Sequence, residues 1–237
     1  MKRFKILAVF AVMISAASLV SCSNGTEPLD PAINTNNGGG NGTLSGDYWP
    51  AAVNNEWTFS RNGVQQPPMK MIGTDNFAGA TYYKFAPQGS GSAASATTWL
   101  NKNSGVYTLK TGDVNLNVGG LTGVQTGYSM VLLKDIAVGQ TWTGTYNQTT
   151  TYSGIPPIQQ TTNYTGSILE KDITMTVDGE TFTNVIKMNM RQETSTSGSV
   201  SITNTEYWFA KNVGPIKTIT YSSGGAYQSI LTDYILF

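Results

Sequence analysis

From Asn55 to Phe237 apolar and polar residues alternate in short runs, and the runs are broken by Gly, Asn and Asp. A period of two suits a strand with one buried face, whereas an amphipathic helix needs a period near 3.6. Glu56-Trp57-Thr58-Phe59 stops at Asn62-Gly63, a strong hairpin-turn pair. Thr81–Phe85, Thr97–Leu100 and Val106–Leu109 follow, the last two joined by Asn103-Ser104-Gly105. Further runs are Met130–Leu133, Gln140–Tyr146, Tyr164–Leu169, Ile173–Val177, Val185–Met190, Glu206–Ala210, Ile216–Tyr221 and Gln228–Phe237, with Asp178-Gly179 as another hairpin turn. No convincing helical stripe lies beyond position 46. The expected fold is all-β, an antiparallel sandwich or an open or half-barrel.

Self-comparison suggests two tandem related β modules, 47–125 and 126–237, which could still form one domain. Tyr48 through Trp57-Thr58 matches Leu132 through Trp142-Thr143, each passing through a Val and a tight turn into Trp-Thr. Thr98-Trp99-Leu100-Asn101-Lys102-Asn103-Ser104-Gly105 matches Tyr207-Trp208-Phe209-Ala210-Lys211-Asn212-Val213-Gly214. The repeated tryptophans, Trp57/Trp142 and Trp99/Trp208, are expected in the core, because a repeated module needs its core twice. Trp49 lies outside this pairing and is expected to be the exposed tryptophan, the one candidate for stacking on a ligand.

The N-terminus is of another kind. Lys2, Arg3 and Lys5 precede an apolar run, Ile6 to Val20, that is too short for a comfortable membrane span. Leu19-Val20-Ser21-Cys22 ends it. This layout resembles a bacterial lipoprotein signal with its lipobox. The resemblance implies a signal peptide over 1–21, cleavage between Ser21 and Cys22, and acylation of Cys22, with palmitate-type chains as the anchor. Several acyl chains hold a bilayer far more firmly than one, at about 0.8 kcal/mol per buried CH₂. Cys22 is the only cysteine, so it has no intramolecular disulfide partner. Residues 22–46, rich in Gly, Asn and Pro, then read as a flexible linker. Ser23 resembles the outer-membrane sorting pattern, and the side faced is left open.

The folded segments also resemble a diffuse group of uncharacterised envelope β lipoproteins. The features carrying this are Tyr48-Trp49-Pro50 through Trp57, Gly179-Glu180-Thr181-Phe182-Thr183-Asn184-Val185, and Tyr207-Trp208-Phe209-Ala210-Lys211-Asn212-Val213-Gly214. The resemblance implies a curved antiparallel sheet, like the half-barrels of lipoprotein carriers, and carries no catalytic residue across.

Composition narrows the chemistry. The chain has no histidine, which removes Ser-His-Asp and Cys-His catalysis and His-ligated zinc. Removing the first 21 residues leaves 11 basic against 14 acidic residues, with no basic stripe, so nucleic acid is not an expected partner. Glu170/Asp172 and Asp178/Glu180 could act as carboxylate pairs in glycoside hydrolysis or hold Ca²⁺, but read as solvated charges at strand ends and turns. No catalytic residue, metal site or cofactor is expected. The expected function is a membrane-anchored envelope lipoprotein with a non-catalytic binding or structural β domain. The alternatives are a periplasmic carrier of lipid or lipoproteins with an apolar groove, and a carbohydrate-binding surface lipoprotein. The partners implied are the membrane and a lipid or glycan ligand.

Overall fold

The computed structural model describes residues 47–87, 96–118 and 120–237. The expected signal peptide with Ser21, Cys22 and the expected linker lie outside the described residues. The fold is all-β. The first strands are β1 (Glu56–Arg61), β2 (Val64–Gln65), β3 (Met69–Phe77), β4 (Ala80–Phe85) and β5 (Thr98–Asn103). There follow β6 (Val106–Thr111), β7 (Val114–Val118), β8 (Leu121–Gln125), β9 (Ser129–Lys134) and β10 (Thr141–Tyr152). The last are β11 (Ile155–Val177), β12 (Glu180–Thr196), β13 (Ser199–Ala210), β14 (Gly214–Ser222) and β15 (Gly225–Ile235).

They form one antiparallel sheet in the order β7-β8-β10-β11-β12-β13-β14-β15-β1-β3-β4-β5-β6-β9, with β2 paired to β1 off this path. Leaving aside the β7–β8 hairpin, the order is two runs of neighbours, β10 to β15 and β1 to β9, joined where β1 pairs β15. Residue pairs with φ near +50° and +80° make the tight hairpins: Asn62-Gly63, Ala78-Gly79, Ser104-Gly105, Asp178-Gly179 and Ser197-Gly198. Two successive positive φ values give the turn whose twist matches that of the flanking strands.

The sheet curls so that its terminal strand β9 comes back to β10 and β11. No backbone ladder joins β9 to them; aromatic side chains do. Trp142 on β10 stands opposite Gly166 on β11, and Tyr164 on β11 stands opposite Gly144 on β10. Each ring lies over the facing glycine: a Cβ on Gly166 would fall 2.2 Å from the Trp142 ring, and one on Gly144 2.2 Å from the Tyr164 hydroxyl. Lying flat, both rings reach Val131 of β9. Trp142 Nε1–H donates to the Val131 carbonyl at 2.9 Å, and the Val131 N–H donates to the Tyr164 hydroxyl at 3.2 Å. One residue of β9 thus has both backbone groups satisfied by side chains, as buried backbone requires.

The main core cluster draws on both 47–125 and 126–237, with Trp57, Phe85, Leu100, Leu133 and Phe209 at its centre, and a small second cluster holds Ala96 and Val114. Burial of each such side chain contributes about 1.5–3 kcal/mol. The turns before Trp57 and Trp142 carry the same backbone bonds. Asn54 and Gly139 both adopt left-handed φ, 78° and 82°. Their N–H groups donate to Met71 O and Ile168 O, at 2.8 and 2.9 Å. The N–H groups of Met71 and Ile168 return bonds to Asn55 O and Gln140 O, at 2.8 and 3.1 Å.

Several strands differ from the sequence expectation. β2, β3, β7 and β8 lie where no strand is expected, and Tyr164–Leu169 and Ile173–Val177 are parts of the one strand β11. Bulges between Ile168 and Met175 hide that continuity by breaking the alternation. β10 to β13 also extend through Thr- and Gln-rich stretches that lack an apolar face. Their inner-face side chains bond one another: Thr162 to Thr194 (2.9 Å), Thr205 to Thr220 (3.1 Å), Gln125 Nε2 to Gln160 (3.0 Å) and Gln192 Nε2 to the Tyr146 hydroxyl (2.9 Å). These stretches keep strand geometry because β-branched Thr suits a pleated surface. A polar inner layer is tolerated when its groups are paired.

Candidate functional site

The expected exposure of Trp49 is corrected by the structure. Its side chain is 5% exposed. The ring sits among Trp57, Phe85 and Phe209 at centroid distances of 6.3, 5.9 and 5.8 Å. The cause is the path of the chain as it enters the fold. The Asn212 N–H donates to Asp47 O at 2.6 Å, and the Tyr48 N–H donates to the Tyr107 hydroxyl at 2.7 Å, which draws Trp49 inward. In that position it offers no free ring face to a ligand.

Trp57, Trp142 and Trp208 are core, as expected. Trp99 is not: it points away from the Leu100 side and is half-buried. Its cross-strand neighbours are Lys84 on β4 and Lys110 on β6. Trp208 has the same arrangement, with Lys187 on β12 and Lys217 on β14 directly opposite. Lys187 and Lys217 lie 5.1 and 5.0 Å from the Trp208 ring centroid, and this ring is buried beneath them. Lys84 lies 5.8 Å from the Trp99 ring, and Lys110 lies 5.0 Å from the ring of Phe77. Ammonium groups at these distances are attracted by the ring quadrupole. Phe77 meets Trp99 edge-on at 5.4 Å and Tyr82 at 5.3 Å. Trp99 Nε1–H donates to Asp75 Oδ2 at 2.8 Å. That hydrogen bond, aided by Lys84, holds the Asp75 carboxyl below its ordinary value.

A second region is an open cleft of about 620 Å³ beside the β7–β8 hairpin and the β10–β11 tip. Asn115, Asn117, Thr122, Thr151, Tyr152 and Ser153 line it, with Leu116 and Val124 adding apolar surface. The floor depends on Gly123, whose Cβ would fall 2.4 Å from Thr151 O. Amides, hydroxyls and one phenol ring can bond and stack on a hydrophilic ligand. No local pattern marks this cleft, because its residues come together only through pairing of β8 with the far end of β10.

The carboxylates of the two pairs lie on β11, in its bulge, and at the β11–β12 hairpin. Glu170 lies 3.9 Å from Lys187 with its side chain 51% exposed. Asp172 sits in a bulge with φ 56°, so the simple alternation that would align it with Glu170 is broken. Asp178 occupies its hairpin turn, and Glu180 accepts a hydrogen bond from the Tyr234 hydroxyl at 2.9 Å. Among the described residues no group of three or more His, Cys, Asp or Glu could hold a metal ion.

A buried charge lies beneath the segment where the chain enters the fold. The Asp135 side chain is 1% exposed and pairs with Lys171 Nζ at 2.5 Å. Burial, then the charges of Asp135 and Asp172, push the Tyr48 phenol up to about 12. Tyr107 is raised as well, chiefly by burial. Its hydroxyl donates to Asp47 Oδ1 at 3.3 Å, and Asp47 also pairs with Lys102. Lys102, Tyr107 and the Asn212 N–H fasten the first described residues to β5, β6 and the β13–β14 turn.

The class these features define is an all-β protein built on one open, curled antiparallel sheet. No family model matches the chain. No curated protein matches it. It is similar in structure to a chain of Parabacteroides distasonis ATCC 8503 provisionally described as a lipoprotein, with 12% identity and a TM-score of 0.48, over 80% of this chain and 99% of that one. It is also similar to a chain of Bacteroides fragilis NCTC 9343 provisionally described as an exported protein with a YmcC-like fold, with 8% identity and a TM-score of 0.37, over 81% of this chain and 100% of that one.

Proposed function

We propose that the chain is an acyl-anchored envelope lipoprotein of the outer membrane whose β domain is a non-catalytic binding or structural module. The observation that carries this is Leu19-Val20-Ser21-Cys22, the sole cysteine standing where a basic start and a short apolar run end. Roughly 24 residues separate that cysteine from the first described residue. The test is fractionation of cells making the native chain or Cys22→Ser. The native protein partitions with outer membranes, and Cys22→Ser does not. Equal partitioning of the two refutes the reading.

Within this reading the inner face favours a scaffold over an acyl-chain carrier. It is filled by Trp57, Phe85, Leu100, Leu133 and Phe209, each no more than 1% exposed, and its upper part is lined by paired Thr and Gln. The polar cleft beside Tyr152 favours carbohydrate as the ligand class, since hydroxyl-rich ligands match amide and hydroxyl linings. Glycan titration followed by tyrosine-edge NMR shifts tests it. Saturable shifts that Tyr152→Ala and Asn115→Ala abolish support glycan binding, and no shift across a broad glycan panel removes it.

A further inference from the structure

The two Lys–Trp–Lys rows occupy matching places in the sheet, but their surroundings differ in charge. Lys187 is held by Glu206 at 3.2 Å and Glu170 at 3.9 Å, and the Trp208 ring is 7% exposed. In the first row the residue opposite Lys84 on β3 is Gly73, where β11 sets Glu170 opposite Lys187. Thr97 stands two residues before Trp99, where Glu206 stands two before Trp208. Neither acid has a counterpart. Asp75 alone answers two lysines: it pairs with Lys84 at 3.4 Å, while Lys110 has the Phe77 ring and no ion pair among the described residues. The first row is therefore a half-exposed surface of three rings, Phe77, Tyr82 and Trp99, with surplus positive charge.

We propose that this surface docks on the phospholipid bilayer that carries the acyl anchor, with the rings at headgroup level and Lys84 and Lys110 against lipid phosphates. The proposal rests on acylation of Cys22. Two observations commit it to a bilayer. The first is composition: aromatic rings with lysines beside them suit the membrane–water interface, and edge-on rings lack the flat platform a sugar needs. The second is reach. The surface shares the β5–β6 hairpin with the first described residues, because Lys102, three residues after Trp99 along β5 and on its other face, pairs with Asp47. At about 3.3 Å per residue that is on the order of 10 Å. The roughly 24 residues between Cys22 and Asp47 can extend to at most about 80–85 Å, so the acyl anchor keeps the bilayer within that distance of this hairpin.

The test uses the native acylated protein in phosphatidylcholine vesicles with brominated acyl chains, with and without about one-third phosphatidylglycerol. Trp99 is the half-buried tryptophan, so its fluorescence reports docking. The expected result is quenching in the anionic vesicles that Trp99→Phe removes. Each lysine near an anionic surface is worth roughly fivefold, so Lys84→Glu with Lys110→Glu lowers the docked-to-undocked ratio at least roughly thirtyfold. Lys217→Glu, on the buried row, leaves the quenching unchanged. Flotation without Trp99 quenching, or quenching that the lysine variants leave intact, overturns docking while the anchor stands. Failure to float, together with no acyl mass on Cys22, overturns both.

Discussion

Replacing Gly166 by Ala tests the side-chain clasp that ties β9 to β10 and β11. The new Cβ would lie 2.2 Å from Trp142 Cε2 and Cζ2 and 2.8 Å from Cη2. Carbon atoms need about 3.5–4.0 Å, so the ring must move by more than about 1 Å. It is 5% exposed and has little free space. Overpacking of this kind costs about 1–3 kcal/mol. Movement also pulls Nε1 from the Val131 carbonyl, now 2.9 Å away, and a buried donor left unpaired costs about 1–3 kcal/mol. Ala gains back roughly 0.5–1 kcal/mol over Gly in a strand interior. The net expectation is a loss of about 2–4 kcal/mol in urea denaturation. Gly73→Ala is the control, because nothing lies within 4 Å of its Cβ and its backbone is not left-handed, so it should be neutral or slightly stabilising. In a Trp142→Leu background Gly166→Ala should cost much less, giving a coupling of at least about 1 kcal/mol. A Gly166→Ala loss below about 0.5 kcal/mol, or equal losses in both backgrounds, would refute the clasp.

Lys171→Met leaves the Asp135 carboxylate, 1% exposed, without its partner; the expected loss is about 3–5 kcal/mol by denaturation, largely restored by adding Asp135→Asn. The phenol of Tyr48 sits above its ordinary value of 10.0, at about 12. The folded state therefore holds this proton more tightly than the unfolded chain does. Its contribution is complete below pH 10 and is lost as pH rises toward 12, so the melting temperature should fall across that window, and fall less in Tyr48→Phe. Gly139→Val forces a branched residue into φ 82° with no steric neighbour within 4 Å, so it should cost about 1–2 kcal/mol from backbone strain alone, while Asn54→Gly at the matching turn should be neutral or better by thermal melts.

What could be read in advance depended on how local the physics was. Asn62-Gly63 and Asp178-Gly179 form the expected turns because two neighbouring residues suffice to set them. The segment leading to Trp57 and the one leading to Trp142 looked alike in sequence, and their turn bonds agree because Asn54 can adopt the φ that Gly139 adopts freely. Polar stretches such as Asn147–Asn163 carried no alternation, since their inner face is Thr and Gln paired across strands, a match visible only once the register is known. The burial of Trp49 is hidden for the same reason: its partners Phe85 and Phe209 are distant in sequence. The Trp99 and Trp208 spacing was legible, but the flanking lysines belong to other strands. The cleft beside Tyr152 and the clasp at Val131 likewise exist only through pairing across the sheet.

Whether the protein lives on a membrane turns on the chemistry of one sulfur atom. Intact-mass and N-terminal peptide mass spectrometry of the protein purified from its own envelope measures this directly. The account predicts a mature chain that starts at Cys22 with a diacylglyceryl group on Sγ. A mature N-terminus at any other residue, or an unmodified Cys22 thiol, would contradict it.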